Sequence, residues 1–311
     1  MNIDMLIGSS FESGKGDAEG VIDPRTGALI LDLEEADLDQ VDRAARAARA
    51  AFTAWSRTTP AERSGYLLKI ADRIESEAED LARIEARNCG KPYHIVLRDE
   101  IPAVGDCFRF FAGAVRCMPG ILAGEYMAGY TSMIRRDPVG VVASIAPWNY
   151  PLMMAAWKLA PALAGGNTVI IKPSEQTPLT TLRLARILAD VLPPGVANVV
   201  VGRGHTVGQA LIDHADIDMI SLTGDIATGR KVLAGMRPEH LHVAHDDADG
   251  FELPVTMMES TGSLTYIVLG TDPEVTLVEQ GRERVRPGDK LKLTIEPGLV
   301  HLFDQETGKR V

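Results

Sequence analysis

Four residues with complementary chemistry fall close together in this chain: Trp148, Asn149, Lys172 and Glu175. An indole offers a flat face to a ring. A carboxamide can donate a hydrogen bond to a developing oxyanion. An ammonium beside a carboxylate can take the hydroxyls of a ribose. Singly, each is ordinary. A Trp-Asn pair in a loop is often only packing, and Ser174 in Lys172-Pro-Ser-Glu175 serves equally well as the N-cap of a helix carrying Leu182 to Leu192.

Their value depends on the elements that gather them. Val139 to Ile145 is a short apolar run rich in β-branched residues, as expected of a strand covered on both faces. Pro147 and Pro151 stop it and fix the loop between them. Leu152 to Leu163, with Lys158 inside it, has the length and composition of a helix, closed by Gly165-Gly166-Asn167. Thr168 to Ile171 is a second strand, ended by Pro173. Strand, helix and strand within about 30 residues make a βαβ unit with parallel, neighbouring strands. Ligands of such sheets sit beyond the carboxyl ends of the strands. Trp148 and Asn149 follow the first strand, and Lys172 and Glu175 follow the second.

The pattern continues downstream. Pro193-Pro194-Gly195 breaks a helix, Val196 to Val201 is a third apolar strand, and Gly202-Arg203-Gly204-His205-Thr206-Val207-Gly208 leads into a helix ending near His214. Glycines between strand and helix let backbone approach a ligand, although this spacing is not the usual dinucleotide fingerprint. Asp218 to Leu222 is a fourth strand, and Thr223-Gly224-Asp225 to Gly229 opens another helix.

Upstream, Ala36 to Cys89 is helical, with a stripe through Leu38, Val41, Ala44, Ala45, Ala48 and Phe52. Pro60 opens a second helix whose first turn carries Glu62, and Leu67, Ile70, Ile74, Leu81 and Ile84 continue the stripe. Ile101 to Val115 is a further helix, and Tyr130 to Arg136 reads as a strand. Gly8 to Gly16 has the wrong spacing for a phosphate loop, with Gly16 rather than Ser or Thr after Lys15.

In this order the motifs resemble those of the aldehyde dehydrogenase superfamily, whose nucleotide domain carries Pro-Trp-Asn-(Tyr/Phe)-Pro, Lys-Pro-Ser-Glu and Phe-Thr-Gly-Ser-x-x-x-Gly. Ile22 to Gly27 and Asn88 to Pro92 resemble two turns of the same family, and the aminoaldehyde-oxidising branch is the nearest in wording. The resemblance runs from residue 1 to 234. It implies a Rossmann-like α/β domain with a parallel sheet and flanking helices, NAD as cofactor and an aldehyde such as 4-aminobutanal as substrate. It implies Asn149 as oxyanion donor, Lys172 and Glu175 on the adenosine ribose, and Trp148 on the nicotinamide side. Gly204, Gly208, Thr223, Gly224, Asp225 and Gly229 would complete the cofactor site, and the strand near Tyr130 would serve homo-oligomerisation. Leu222 stands for the family's aromatic. Asp225 stands for its Ser, placing a carboxylate where pyrophosphate is expected unless it caps the helix.

Family chemistry needs a cysteine thiolate to attack the carbonyl and a glutamate to activate water. In the family the glutamate lies in Glu-Leu-Gly-Gly-Lys, after the Thr-Gly-Ser motif, and the nucleophile lies further on. No Glu-Leu-Gly-Gly occurs here, and no cysteine follows Cys117. The expectation is an incomplete nucleotide domain, with weak or vestigial NAD binding and no aldehyde oxidation.

Residues 235–311 change character. Leu253 to Met258, Leu264 to Gly270, Glu274 to Val278, Lys290 to Ile295 and Leu299 to Phe303 read as short strands between Gly and Pro turns, a small OB-like β-barrel. Gly235 to Glu239, Gly262 to Tyr266, Pro287-Gly288-Asp289 and His301 to Gly308 resemble the C-terminal regulatory (TOBE) domain of carbohydrate-importing ABC transporter ATPases. That resemblance implies ABC permease subunits as partners. The ATPase motifs, a P-loop and Leu-Ser-Gly-Gly, are absent. His240, His242, His245, Asp246 and Asp247 are read as a solvated loop rather than a metal site.

With 311 residues, 45% of them hydrophobic, there is material for two globular domains. A net charge of −11 argues against nucleic acid and anionic membranes as partners. No run is long enough to span a bilayer and no secretory leader is apparent. Cys89, Cys107 and Cys117 are odd in number and lack zinc-ligand spacing, so reduced thiols, no metal and a cytoplasmic location are expected.

Overall fold

A computed structural model describes residues 3–118, 124–133, 136–224, 229, 241–243, 251–260, 264–269, 275–280 and 286–295. The chain divides into two compact units, Met1–Val232 and Leu233–Val311.

The first unit opens with two hairpins, β1 (Met5–Ile7) with β2 (Ser10–Glu12) and β3 (Ala18–Ile22) with β4 (Leu29–Glu34). Three long helices follow: α1 (Leu38–Trp55), α2 (Pro60–Ser76) and α3 (Ala78–Cys89). Capping boxes start the first two, Asp37 with Gln40 and Thr59 with Glu62, so Glu62 closes a hydrogen-bonded cap as well as meeting the dipole. Gly90, at φ 72°, ends α3 in the left-handed region. After the single turn α4 (Tyr93–Ile95) and a π-helical turn comes α5 (Ile101–Ala114). Strands β5 (Gly124–Met127) and β6 (Tyr130–Ser132) pair as a hairpin, shorter than the strand expected to reach Arg136.

The expected βαβ unit follows as β7 (Val141–Ile145), α6 (Pro151–Ala164) and β8 (Thr168–Lys172). Then come α7 (Leu179–Val191), β9 (Ala197–Val199), a π-helical turn at Gly204–Gly208, α8 (Gln209–Ile212) and β10 (Met219–Leu222). Strand order in the sheet is β10-β7-β8-β9-β1-β2, parallel from β10 to β9. β1 adds antiparallel to β9 and carries the sheet further. Every residue of β7 and β8 is buried, which explains why both are mainly apolar, with Ser144, Thr168 and Lys172 as the polar exceptions. α1 packs on β7, β8 and β9; α6 and α7 cover the sheet too, with α2, α3 and α5 around them.

Ser174 does not cap α7. The helix begins at Leu179 behind Pro178, and the Ser174 hydroxyl instead accepts from the Gln176 amide inside a turn. Pro178 occupies the position where a Ser174 cap would require continuing helix, so the start moves downstream.

The second unit is an antiparallel sheet of order β11-β15-β12-β13-β14, made of β11 (Leu241–Val243), β12 (Phe251–Ser260), β13 (Leu264–Leu269), β14 (Val275–Gln280) and β15 (Lys290–Ile295). β12 serves two partners by a register shift between Val255 and Met257, the bulge that lets one strand bend between two ladders. Val255, Ile267 and Leu269 form its buried cluster. His242 lies within β11 rather than in a loop; His240, His245, Asp246, Asp247 and the strand expected at Leu299 to Phe303 lie outside the described residues.

One glycine is demanded where β7 begins. Gly140 has φ 140°, and a Cβ there would stand 1.8 Å from the Asp218 carboxylate, which accepts from the Val141 amide at 2.7 Å. Gly140→Ala is expected to loosen the β7–β10 pairing and destabilise the first unit by about 2 kcal/mol or more. Urea denaturation followed by tryptophan fluorescence would read this; an unchanged midpoint would refute it.

Candidate functional site

The register of the sheet levels three strand ends. Ile145 is paired with Lys172 on one side and with Leu222 on the other. The Ala146 amide donates to the Lys172 carbonyl at 3.0 Å and the Thr223 amide to the Ile145 carbonyl at 3.1 Å, so pairing extends into the loops. Beyond these ends opens a cleft of about 490 Å³. Trp148, Asn149, Lys172, Ser174, Glu175, Gly204, Thr223 and Gly224 all line it, joined by Met154 and Leu222.

Lys172 is nearly fully buried, with 2% of its surface exposed. Its ammonium donates to the carbonyls of Pro173 at 2.9 Å and Gly202 at 2.5 Å, and reaches the Glu175 carboxylate at 3.4 Å. Burial pulls its pKa below the usual lysine value, partly offset by Glu175 and Glu35. The long third contact is the one a ligand hydroxyl can replace. Glu175 is about one-third exposed and faces the cleft, so its carboxylate can accept from a second hydroxyl. The pair therefore fits a ribose diol. A Cβ at Gly204 would meet nothing within 4 Å, and one at Gly208 would touch the Lys172 side chain at 3.8 Å. Gly208 thus packs against the lysine stem and is not among the lining residues. Gly229 is described apart from its neighbours, near Leu222; Asp225 lies outside the described residues.

The loop carrying Trp148 and Asn149 is held from below. Thr177 donates its hydroxyl to the Trp148 carbonyl at 3.0 Å. Helix α3 supplies an unforeseen polar support. Glu85, 1% exposed, accepts from the Thr180 hydroxyl at 2.5 Å and the Leu152 amide at 3.4 Å. Asn88 donates to the Gln176 carbonyl and accepts from the Leu179 amide. The Lys91 ammonium sits 3.7 Å from the centre of the Tyr150 ring and 2.8 Å from Glu100. Glu85 falls four residues after Leu81, on the apolar stripe; a carboxylate at such a position was the available signal. Lys158, buried in α6, donates to the Ser221 carbonyl at 3.0 Å and hydroxyl at 3.2 Å, tying α6 to β10; burial lowers its pKa to about 8.

The cysteines stand elsewhere. None is among the described residues lining the cleft. Burial pushes the Cys107 thiol up to about 11, and burial with the Glu85 charge pushes Cys89 higher still. Cys117 is exposed after α5. Among the described residues no His, Cys, Asp and Glu group could hold a metal, and no helix is long and apolar enough to cross a membrane.

A mostly parallel sheet, helices around it and a cleft at its carboxyl edge define a Rossmann-like α/β protein. Residues 11–244 match the aldehyde dehydrogenase family and residues 234–303 the TOBE domain, an OB-like fold. The NADP/NAD-dependent aldehyde dehydrogenase PuuC of Escherichia coli is 40% identical over 257 residues, covering 82% of this chain and 49% of that protein. An acetaldehyde dehydrogenase of Pseudomonas aeruginosa is 46% identical over 210 residues, covering 68% and 41%. Among solved structures, PnpE in complex with nicotinamide adenine dinucleotide superposes with a TM-score of 0.73 at 44% identity, over 76% of this chain and 48% of that one. An NAD+ complex of a Bacillus cereus aldehyde dehydrogenase gives 0.72 at 38%, over 76% and 48%. The chain belongs to the aldehyde dehydrogenase family and also carries a TOBE domain. It spans about half the length of the curated relatives it matches.

Glu85 makes the support of the cleft pH-sensitive. Burial raises its pKa from 4.5 to about 7, against the pull of Thr180 and Lys91. Between those values the folded chain keeps a proton that the unfolded chain releases, so this contribution is complete below pH 4.5 and lost as pH rises to 7. The full difference is about 3 kcal/mol. Glu85→Gln should abolish that slope, so its melting temperature should gain several degrees on the unsubstituted chain between pH 5 and 8. Parallel melting curves across this range would contradict the assignment.

Proposed function

We propose that residues 1–234 retain a binding site for the adenosine half of NAD and that the chain alone does not oxidise aldehydes. The reading rests on one observation above all: the cleft beyond β7, β8 and β10 is lined by Trp148, Asn149, Lys172, Glu175, Gly204 and Thr223 together. Lys172 and Glu175 would take the adenosine ribose hydroxyls, and Trp148, 60% exposed, would face the nicotinamide side. A carboxylate at Glu175 would repel a phosphate on the ribose 2′ position, favouring NAD over its phosphorylated counterpart. Asn149 would donate to an oxyanion if one formed. NAD, if bound, would supply a hydride acceptor; none of Cys89, Cys107 and Cys117 is among the described residues lining the cleft, where a thiol would have to attack the aldehyde.

The chain's own residues support the reading of inactivity. The family's Glu-Leu-Gly-Gly and its downstream cysteine have no counterpart between Asp225 and Val311. Binding should be weak, since among the described residues no strand lies beyond β10 in the sheet and Asp225 replaces the family's Ser at the helix expected to receive pyrophosphate. A second reading, favoured by the match at 234–303, is a regulatory role of the TOBE unit toward ABC permease subunits of sugar import. Sugar-permease genes beside this one would favour it.

Titration calorimetry with NAD is expected to give weak, saturable binding that Lys172→Met reduces by about tenfold or more, as loss of a charged hydrogen bond requires. Incubation with 4-aminobutanal and NAD should produce no absorbance at the reduced-nicotinamide band. Turnover under those conditions, or binding indifferent to Lys172, would overturn the proposal.

A further inference from the structure

The loop that contributes Gly204 to the cleft is fastened by a carboxylate from outside the nucleotide motifs. Glu35 lies between β4 and the cap of α1, with 6% of its surface exposed. One of its oxygens accepts from the Arg203 backbone amide at 2.9 Å, the Arg203 Nε at 3.3 Å and the Thr206 hydroxyl at 2.8 Å; the other accepts from an Arg203 terminal nitrogen at 2.5 Å. The backbone of the same residues is stitched to the same place: Gly16 donates to the Glu35 carbonyl, Glu35 to the Asp17 carbonyl and Ala36 to the Val201 carbonyl. These bonds hold both ends of the 202–206 segment. Gly202 is bent back at φ 152°, where a Cβ would collide with Val207 at 2.3 Å and touch the Glu35 Cβ at 3.0 Å. That bend aims the Gly202 carbonyl at the Lys172 ammonium, its shortest hydrogen bond. Two residues on, Gly204 lines the cleft.

We infer that Glu35 is a positioning residue for the nucleotide site: through Arg203 and Thr206 it sets the Gly202 carbonyl that orients Lys172, and the Gly204 wall beside it. The inference rests on the adenosine-binding reading above. Glu35 never touches the ligand. It acts first by geometry and second by charge, because its carboxylate and that of Glu175 are the two anions that favour the protonated form of buried Lys172. Glu35 itself stays ionised, its pKa held at about 2 by Arg203 in the first place. The outer member of the cluster, Asp17, pairs with Arg203 at 2.8 Å but is 80% exposed, so water and salt screen it.

The test is calorimetric titration of the full chain with NAD, from pH 6 to 10, on four proteins. The unsubstituted chain should bind, with affinity falling on the alkaline side as Lys172 loses its proton. Glu35→Gln should weaken binding about five- to tenfold at pH 7, the factor for one hydrogen bond of ordinary net strength. Its alkaline loss should begin at lower pH, because an anion near the ammonium is gone. Thr206→Val, which keeps every charge, should weaken binding in the same direction by about twofold without moving the pH profile. Asp17→Asn should leave both unchanged. Should Glu35→Gln fail to fold, Thr206→Val and Asp17→Asn still decide: equal affinities for the two overturn the inference. A folded Glu35→Gln chain with unsubstituted affinity and pH profile overturns it as well. Absence of binding by the unsubstituted chain overturns the adenosine reading, and the role of Glu35 with it.

Discussion

A charge that has almost no contact with water organises this site. Lys172 ends a strand buried on both faces, and its ammonium must find acceptors inside the protein or lose its proton. It finds them in the turns that follow two neighbouring strands, at Pro173 after β8 and Gly202 after β9. One cation thereby fixes two loops at the carboxyl edge of the sheet. The strained geometry of Gly202 is tolerable only because the residue has no side chain and because Glu35 grips the next residue from three directions. The Glu175 contact, longer and partly wet, is the yielding corner of the arrangement, and a binding site needs such a corner.

Much of this was legible in the linear order. Short apolar runs rich in β-branched residues at 139–145 and 168–171 point to strands buried on both faces, and two such strands joined by one helix form parallel neighbours. Parallel register then forces Asn149 and Glu175 to a common edge. What escaped reading came from contacts distant in sequence. β1 joins β9 across some 190 residues through one paired position, and three residues are too few to show alternation. Ser174 had the chemistry of a cap, but Pro178 redirected the helix start. Glu85 and Asn88 looked like parts of an amphipathic helix, yet each satisfies backbone groups at the start of another helix, Leu152 on α6 and Leu179 on α7. Buried polar residues of this kind identify themselves only through the groups left orphaned at helix ends.

The first unit has one continuous core from Met5 to Ile217, with two helical layers around a sheet. In the second, the described buried residues are Val255, Ile267 and Leu269, set beside a bulged strand shared between two ladders. The aldehyde dehydrogenase match ends at residue 244 and the TOBE match begins at 234, just after the division between Val232 and Leu233. The sequence from Val232 to Glu239 contains no Gly- or Ser-rich run of the kind that makes a flexible linker.

The chemistry left to the first unit follows from where its sulfurs lie. A thiol becomes a nucleophile when its environment favours the thiolate, through a nearby cation, a helix start or partial exposure in a positive pocket. Cys89 has the reverse: burial and the carboxylates of Glu85 and Glu100 all oppose ionisation, with only Lys91 helping. Cys107 is likewise pushed up by burial and by Asp106. The cleft, for its part, offers an ammonium, an amide and an indole to a ligand but no thiol among its described walls. Cofactor recognition and bond-making are separable functions in a Rossmann-like fold, because recognition is written into strand ends and their loops, whereas attack needs one ionised sulfur at one point in space. The registered ends of β7, β8 and β10 carry the residues on which the first is proposed to rest; the electrostatics around Cys89 and Cys107 run against the second.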